Sequence, residues 1–474
     1  MSTYISSHTR RYIKGTQMTA TPTPTPTPMI SIWTHRIYMA LAILLLSVSS
    51  AFAQSDTEVI TITEGNVEPT PIAITNFIGP DGLPTDIGRD IAAIISNDLE
   101  GSGLFRPLSQ AAFFDPPSDV TETPDFADWR PIGASALLVG RAFYNADNMI
   151  EVEFYLWDVL RAELIAAGAG SVADKGKRRI SHQIADVVYK KWTGDDGYFD
   201  TRIVYVAESG PAQKRIKRLA IMDQDGHNHI YLTDGSSLVL TPRFSQTVQE
   251  IAYLNYFNDD PNVYLLDIQS ANSELLGSFP GMSFAPRFSY EGKTLIMSLA
   301  RSGVTNIFAM DLATRQTTQL TNTPFIDTSP SYSPDDSQIV FNSDRSGGQQ
   351  LYVMDKNGGN VRRISRGKGR YATPVWSPRG DIIAFTKMYR GQFYIGVMNV
   401  DGTGERLLAK GFLVEAPTWA PNGRVLMYFK QNPTNTDGSG GESYLYRIDI
   451  TGFNERRIIT PEGASDPAWS PFLP

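Results

Sequence analysis

A Pro-x-aromatic-Ser/Ala tetrapeptide returns six times along the second half of the chain: Pro242-Arg-Phe-Ser, Pro286-Arg-Phe-Ser, Pro330-Ser-Tyr-Ser, Pro374-Val-Trp-Ser, Pro417-Thr-Trp-Ala and Pro467-Ala-Trp-Ser. Successive prolines stand 44, 44, 44, 43 and 50 residues apart. Behind each of the first five comes a short β-branched or aromatic run, such as Ile251-Ala-Tyr253, Ile339-Val-Phe341 or Val425 to Phe429. A period of this length, filled with short strands, is that of one propeller blade. The anchor aromatics recur in every unit, so they are read as blade-packing core rather than as ligand stackers.

A second landmark keeps step with the first. Asp223, Asp267, Asp311, Asp355, Asn399 and Asp449 each end a short apolar strand, 18 or 19 residues before the next anchor proline. Three of them continue as Asp-x-x-Gly, at Gly226, Gly358 and Gly452. An Asp side chain caps turn amides and Gly accepts positive φ, so these are hairpin turns. They lack the acid spacing of an EF-hand loop, and no metal site is assigned to them.

The repeat begins in mid-blade at Arg202-Ile-Val-Tyr-Val and ends in mid-blade at Pro467-Ala-Trp-Ser. The last tetrapeptide can therefore supply the innermost strand of a blade whose outer strands come from residues 202–233. The expected fold is α+β multidomain: a small N-terminal α/β domain over 54–198, then a six-bladed β-propeller over 199–474 closed by both ends of its repeat. One blade is irregular, because Gln431 to Ser443 is a polar, Gly- and Asn-containing loop that lengthens the last interval.

Residues 1–53 are read as a leader and signal peptide. Ile37 to Phe52 is an apolar run behind His35 and Arg36, and it ends in Ala51-Phe52-Ala53. That small-x-small pattern predicts cleavage between Ala53 and Gln54. The run is shorter than the roughly 20 apolar residues a spanning helix needs. Thr21 to Pro28 is a low-complexity Thr-Pro stretch, and Met29 to Ala53 alone has signal-peptide proportions. Export places the expected mature protein in the periplasm, with no membrane span.

Within 54–198 the periods mix. Pro71 to Phe77, Ala136 to Gly140, Ile150 to Trp157 and Leu164 to Ala167 read as strands. Ile87, Ile91, Ile94 and Leu99 form a helical stripe ended by Gly101 and Gly103, and Ile180 to Trp192 forms another ended near Gly194. The segment Thr57-Glu-Val-Ile-Thr-Ile-Thr63 alternates like an edge strand able to add to a partner's sheet.

The chain has no cysteine, which removes disulfides, thiolate nucleophiles and Cys-based zinc sites. Losing the leader would move the net charge from −8 to −12, since that segment carries Arg10, Arg11, Lys14 and Arg36 and no acid. A net-negative protein is poorly matched to nucleic acid or an anionic membrane. Beyond the leader the histidines are His182, His227 and His229, and none is assigned a catalytic role; His182, on the last helix of the first domain, is as readily solvated as buried. Gly281-Met-Ser283-Phe-Ala285 fails as a nucleophile elbow at its last position. No catalytic residue and no cofactor is assigned. The competing reading is a periplasmic propeller hydrolase.

The chain resembles the TolB family, the periplasmic propeller proteins of the Tol-Pal system of Gram-negative bacteria. The resemblance rests on Ile72-Ala-Ile-Thr-Asn-Phe77, Asp98-Leu-Glu-Gly-Ser-Gly103-Leu-Phe105, Trp129-Arg-Pro-Ile-Gly-Ala134 with Leu138-Val-Gly140, Gly197-Tyr-Phe-Asp-Thr-Arg-Ile-Val-Tyr205, and the six anchors. It implies a non-enzymatic binding protein that links the peptidoglycan-associated lipoprotein Pal to inner-membrane TolA, with other envelope proteins as further partners, and that supports outer-membrane invagination during division. Pal would dock at a mouth of the propeller channel. Loops just before the anchors ring that mouth, which nominates Met282, Phe284, Ala285, Thr328, Ser329, Tyr371, Thr373, Glu415 and Asp466. TolA would engage the N-terminal strand through Thr57, Val59, Ile60, Thr61 and Ile62.

Overall fold

The computed structural model describes residues 68–473, apart from 115–116, 212–213, 258–259, 282–285, 302 and 436–439. The N-terminal part is a mixed five-stranded sheet. Its strands are β1 (Thr70–Ile74), β2 (Phe105–Pro107), β3 (Ala136–Tyr144), β4 (Met149–Asp158) and β5 (Glu163–Ala173), in the spatial order β2-β1-β3-β4-β5. β1 is parallel to both β2 and β3, while β3, β4 and β5 form an antiparallel meander. The stripes read as helical are helices α1 (Asp86–Ser102) and α2 (Lys177–Thr193). Thr85 caps α1 by accepting from the Gly88 amide, and Gly103, at φ 77°, ends it. Both helices cover one face of the sheet, where Ile91, Ile95, Leu99, Ile184 and Val188 pack on Ile72, Leu138 and Val152. The other face buries Trp129, Phe126 and Trp157 against Leu137 and Val139.

Six four-stranded antiparallel sheets follow. Five are continuous in sequence, with innermost strands Leu238–Phe244, Arg287–Phe288, Asp327–Tyr332, Arg370–Trp376 and Leu413–Trp419. The sixth pairs Gly463–Trp469 with β6 (Arg202–Ser209), then adds β7 (Ile216–Asp223) and β8 (Ile230–Tyr231). The two ends of the repeat thus share one sheet, as expected. Every anchor aromatic is buried: Phe244, Phe288, Tyr332, Trp376, Trp419 and Trp469 are all less than a tenth exposed. Trp419 also locks its blade to the preceding one, its Nε1 donating to the Val375 carbonyl at 3.1 Å, while Trp469 Nε1 donates to Thr201 Oγ1 at 2.8 Å within the closing blade.

The Asp landmarks cap their turns. Asp311 Oδ1 accepts from the amides of Ala313 and Thr314, and Asp449 Oδ1 from that of Thr451. At Gly358, φ is 86° and an added Cβ would lie 2.1 Å from the Leu320 carbonyl oxygen of the neighbouring blade, so the turn needs glycine twice over.

Five of the six anchor prolines also mark an irregularity the repeat did not announce. Thr241, Ser329, Thr373, Ala416 and Asp466, each just before its proline, have φ between 45° and 55°. The inner strand carries one extra residue at each of these places: Thr328 and Ser331 face Asn342 and Val340, and Ser465 and Ala468 face Val206 and Val204. These are β-bulges.

A candidate binding face at the propeller channel

Strands alternate in direction within a blade. The pre-anchor segments and the loops between second and third strands therefore gather at one end of the ring. The turns after each anchor and the Asp-marked turns gather at the other. Among the described residues, the hydrogen bonds and ion pairs joining the α/β domain to the propeller fall on this second face. Asn422 Nδ2 donates to the Asp196 carbonyl at 2.8 Å, Asn454 Nδ2 to the Gly101 carbonyl at 2.8 Å, and Arg379 pairs with Asp195 at 3.0 Å.

At the centre of that junction is a buried charged network. Asp98 of α1 contacts His182 of α2 and accepts from Gln224 Nε2 at 3.0 Å, and Arg447 Nη1 donates to Gln224 Oε1 at 2.6 Å. Arg178 pairs with Asp223 and Asp225. His182 is buried, not solvated. Burial opposes its protonation, but the carboxylates of Asp223, Asp98 and Asp225 outweigh burial and push it up to about 10. Asp98, His182 and Asp225 also bring possible metal-ligand atoms within 4.8 Å of one another. Arg178 already engages Asp225, and Asp98 and His182 engage each other, so the set reads as an ion-pair lock between the two parts of the chain.

The linker Gly197-Tyr-Phe-Asp-Thr is held just as tightly. The Asp186 carboxylate accepts the amides of Phe199 at 2.7 Å and Asp200 at 3.0 Å, and burial lifts it to about 7 against those two bonds. Tyr198 and Phe199 are fully buried between Tyr189 of α2 and Trp469 of the closing strand. The segment on either side of residue 198 is thus core.

The first face carries the residues nominated for docking. Thr328, Ser329, Thr373, Glu415 and Asp466 are half-buried, each on an innermost strand directly before its anchor proline. Ser329 and Thr373 line one cavity, and Glu415 lies near enough to Asp466 that, after burial itself, Asp466 is what raises its carboxyl. Tyr371 departs from the expectation. It is 0% exposed, and its hydroxyl donates to Glu405 Oε2 at 2.7 Å, beside the Lys387–Glu405 ion pair at 2.5 Å. Alternation along its strand turns this side chain into the blade, away from a partner. Met282, Phe284 and Ala285, the N-terminal strand positions Thr57, Val59, Ile60, Thr61 and Ile62, and the cleavage pair Ala53 and Gln54 lie outside the described residues.

The same face holds apolar groups that sequence reading passed over. Phe325, Ile326, Met388 and Phe412 are 38%, 40%, 38% and 56% exposed, all in segments beside the pre-anchor ring. Phe325 and Ile326 stand out as an apolar pair in the polar stretch Thr321 to Ser329, whereas Met388 beside Tyr389 and Phe412 before Leu413-Val414 carry no such signal. Deeper in the channel, Arg243 and Arg287 project from the first two anchors, where other repeats have Ser, Val, Thr and Ala. No described helix is long and apolar enough to cross a membrane.

Comparison with known proteins agrees with this architecture. A family model described as the TolB amino-terminal domain matches residues 58–165, and one described as the TolB beta propeller domain matches residues 189–473. The Tol-Pal system protein TolB of Paramagnetospirillum magneticum is 59% identical over 440 residues, 93% of this chain and 98% of that one. The crystal structure of TolB from Acinetobacter baumannii superposes with a TM-score of 0.76 at 27% identity, covering 85% of this chain and 97% of that one. A small α/β domain locked onto one face of a six-bladed propeller, matched over both parts by these models and relatives, shows that the chain belongs to the TolB family.

Proposed function

We propose that the protein is a non-enzymatic periplasmic component of the Tol-Pal system, and that its propeller face away from the α/β domain captures the lipoprotein Pal. The observation that carries this reading is the set of exposed apolar residues Phe325, Ile326, Met388 and Phe412 at the same end of the propeller as the half-buried polar residues Thr328, Ser329, Thr373, Glu415 and Asp466. Apolar anchors within a polar rim are what a protein-binding hot spot requires. The α/β domain occupies the opposite face, so a partner reaches this one without displacing it. The N-terminal strand, with Val59, Ile60 and Ile62, would add to a sheet of TolA. Two simultaneous contacts would connect an outer-membrane-attached partner to an inner-membrane one, and so support envelope invagination at division.

Calorimetric titration of the protein with soluble Pal tests the main contact. Wild type is expected to bind saturably, and the double variant Phe325→Ser/Phe412→Ser to bind about 10-fold or more weakly with unchanged thermal stability. Absence of binding at high concentrations of both proteins would overturn the assignment of Pal. Removing residues 54–62 is expected to abolish TolA binding and spare Pal.

A further inference from the structure

The propeller channel contains a pair of arginines with too few acids around them. Arg243 and Arg287 occupy the same position in the first two repeats, directly after the anchor proline, and both line the two cavities of the channel. Arg243 Nη1 donates to the Pro242 carbonyl at 2.7 Å, its Nε is buried without a partner, and the opposing charge that acts on it is Asp466. The Arg287 side chain makes no hydrogen bond or ion pair among the described residues. After burial, the charge that acts most on it is Arg243, another cation, and both influences disfavour its protonated form. Two side-by-side guanidiniums withdrawn from bulk water are costly unless an anion compensates them.

The walls around this pair supply the rest of an anion cradle. Ser298 Oγ is buried without a partner in the same cavity, and Ser329 adds a second hydroxyl. The cavity that Ser298 and Ser329 line is only about 20 Å³, so the room for a small anion is the adjoining cavity, lined by both arginines, at about 90 Å³. The acids of the channel sit with the fifth and sixth blades, Glu415 and Asp466. On the Arg287 side, Asp327 at the head of the third blade's inner strand is already paired with Arg345 at 2.9 Å.

We propose that Arg243 and Arg287, with Ser298, form an oxyanion-binding site inside the channel. Its ligand is a small oxyanion, phosphate or sulfate in free form or the carboxylate of an acid side chain. Guanidinium forks match the paired oxygens of all three groups, and in a site shielded from water such charge-assisted bonds are the strong ones. The site is independent of the Pal assignment, because it rests on channel residues alone.

The test is thermal unfolding of the full mature protein in phosphate, sulfate, acetate and chloride at matched ionic strength, with the Arg287→Gln and Arg243→Gln variants in parallel. Wild type should show a saturable rise of about 2 °C over chloride in phosphate or sulfate, or in acetate if the site is built for a carboxylate. Both variants should lose that rise, and Arg287→Gln should melt higher than wild type in chloride, because the uncompensated charge is gone. Identical midpoints in all four salts would overturn the proposal. So would an equal rise in the variants, since that is the general effect of excluded salts on surface hydration. Should one variant fail to fold, the other decides by the same criterion.

Discussion

His182 Nδ1 lies 2.6 Å from Asp98 Oδ2, and each residue is only 2% exposed. One belongs to α2 and the other to α1, and Gln224 and Arg447 extend the contact into two propeller blades. The interface between the parts of the chain is thus closed by a charged network set inside an apolar core. Removing one partner of a buried pair strands the other, which costs about 3–5 kcal/mol. Asp98→Ala is therefore expected to lower the unfolding free energy by about 3 kcal/mol, measured in urea.

The same pair makes stability depend on alkali. An unfolded His titrates near 6.5, and in the fold His182 is raised to about 10. A raised folded value means its contribution is complete below pH 6.5 and is lost as pH climbs to 10. Thermal midpoints of wild type should fall across that window, and His182→Gln should flatten the decline. An equal decline in both proteins would assign the effect to other groups.

Ring closure depends on the last tetrapeptide. Trp469 is buried against Tyr198 and donates to Thr201, so Trp469→Ala removes both packing and a partner for a buried hydroxyl. A loss of about 3–5 kcal/mol is expected. Guanidinium unfolding curves measure it, and a loss below about 1 kcal/mol would mean that the closing strand adds little.

Gly197 approaches α2 so closely that a Cβ would sit 2.5 Å from Asp186 Cα and 2.1 Å from its Oδ1. Backbone cannot retreat as a flexible side-chain tip can. Gly197→Ala should cost about 1–3 kcal/mol and loosen the amide cap on Asp186, seen as faster exchange of the Phe199 and Asp200 amides.

Much of this was legible in the residues. The anchor period and the Asp turns give blade number and closure, because a repeat must bury the same positions in every copy. The two helices follow from their apolar stripes and terminal glycines. What escaped is long-range. Nothing local tells that Asp98 meets residues 84 and 126 positions away, or that Arg447 reaches across from another blade. The bulges escaped for a different reason: a residue before proline is steered toward extended backbone, and here the blade overrides that preference at Ser329 and Thr373. The inward turn of Tyr371 is part of the same uncertainty, since its side depends on register that a bulge alters.

Hydrogen exchange of the protein with and without soluble Pal tests the central claim most directly. Protection confined to the segments around Phe325 to Ser329, Met388 to Gln392 and Phe412 to Glu415 is the predicted result. Protection on the turns around Asp223, Arg379 and Asn422 instead, where the α/β domain docks, would contradict it.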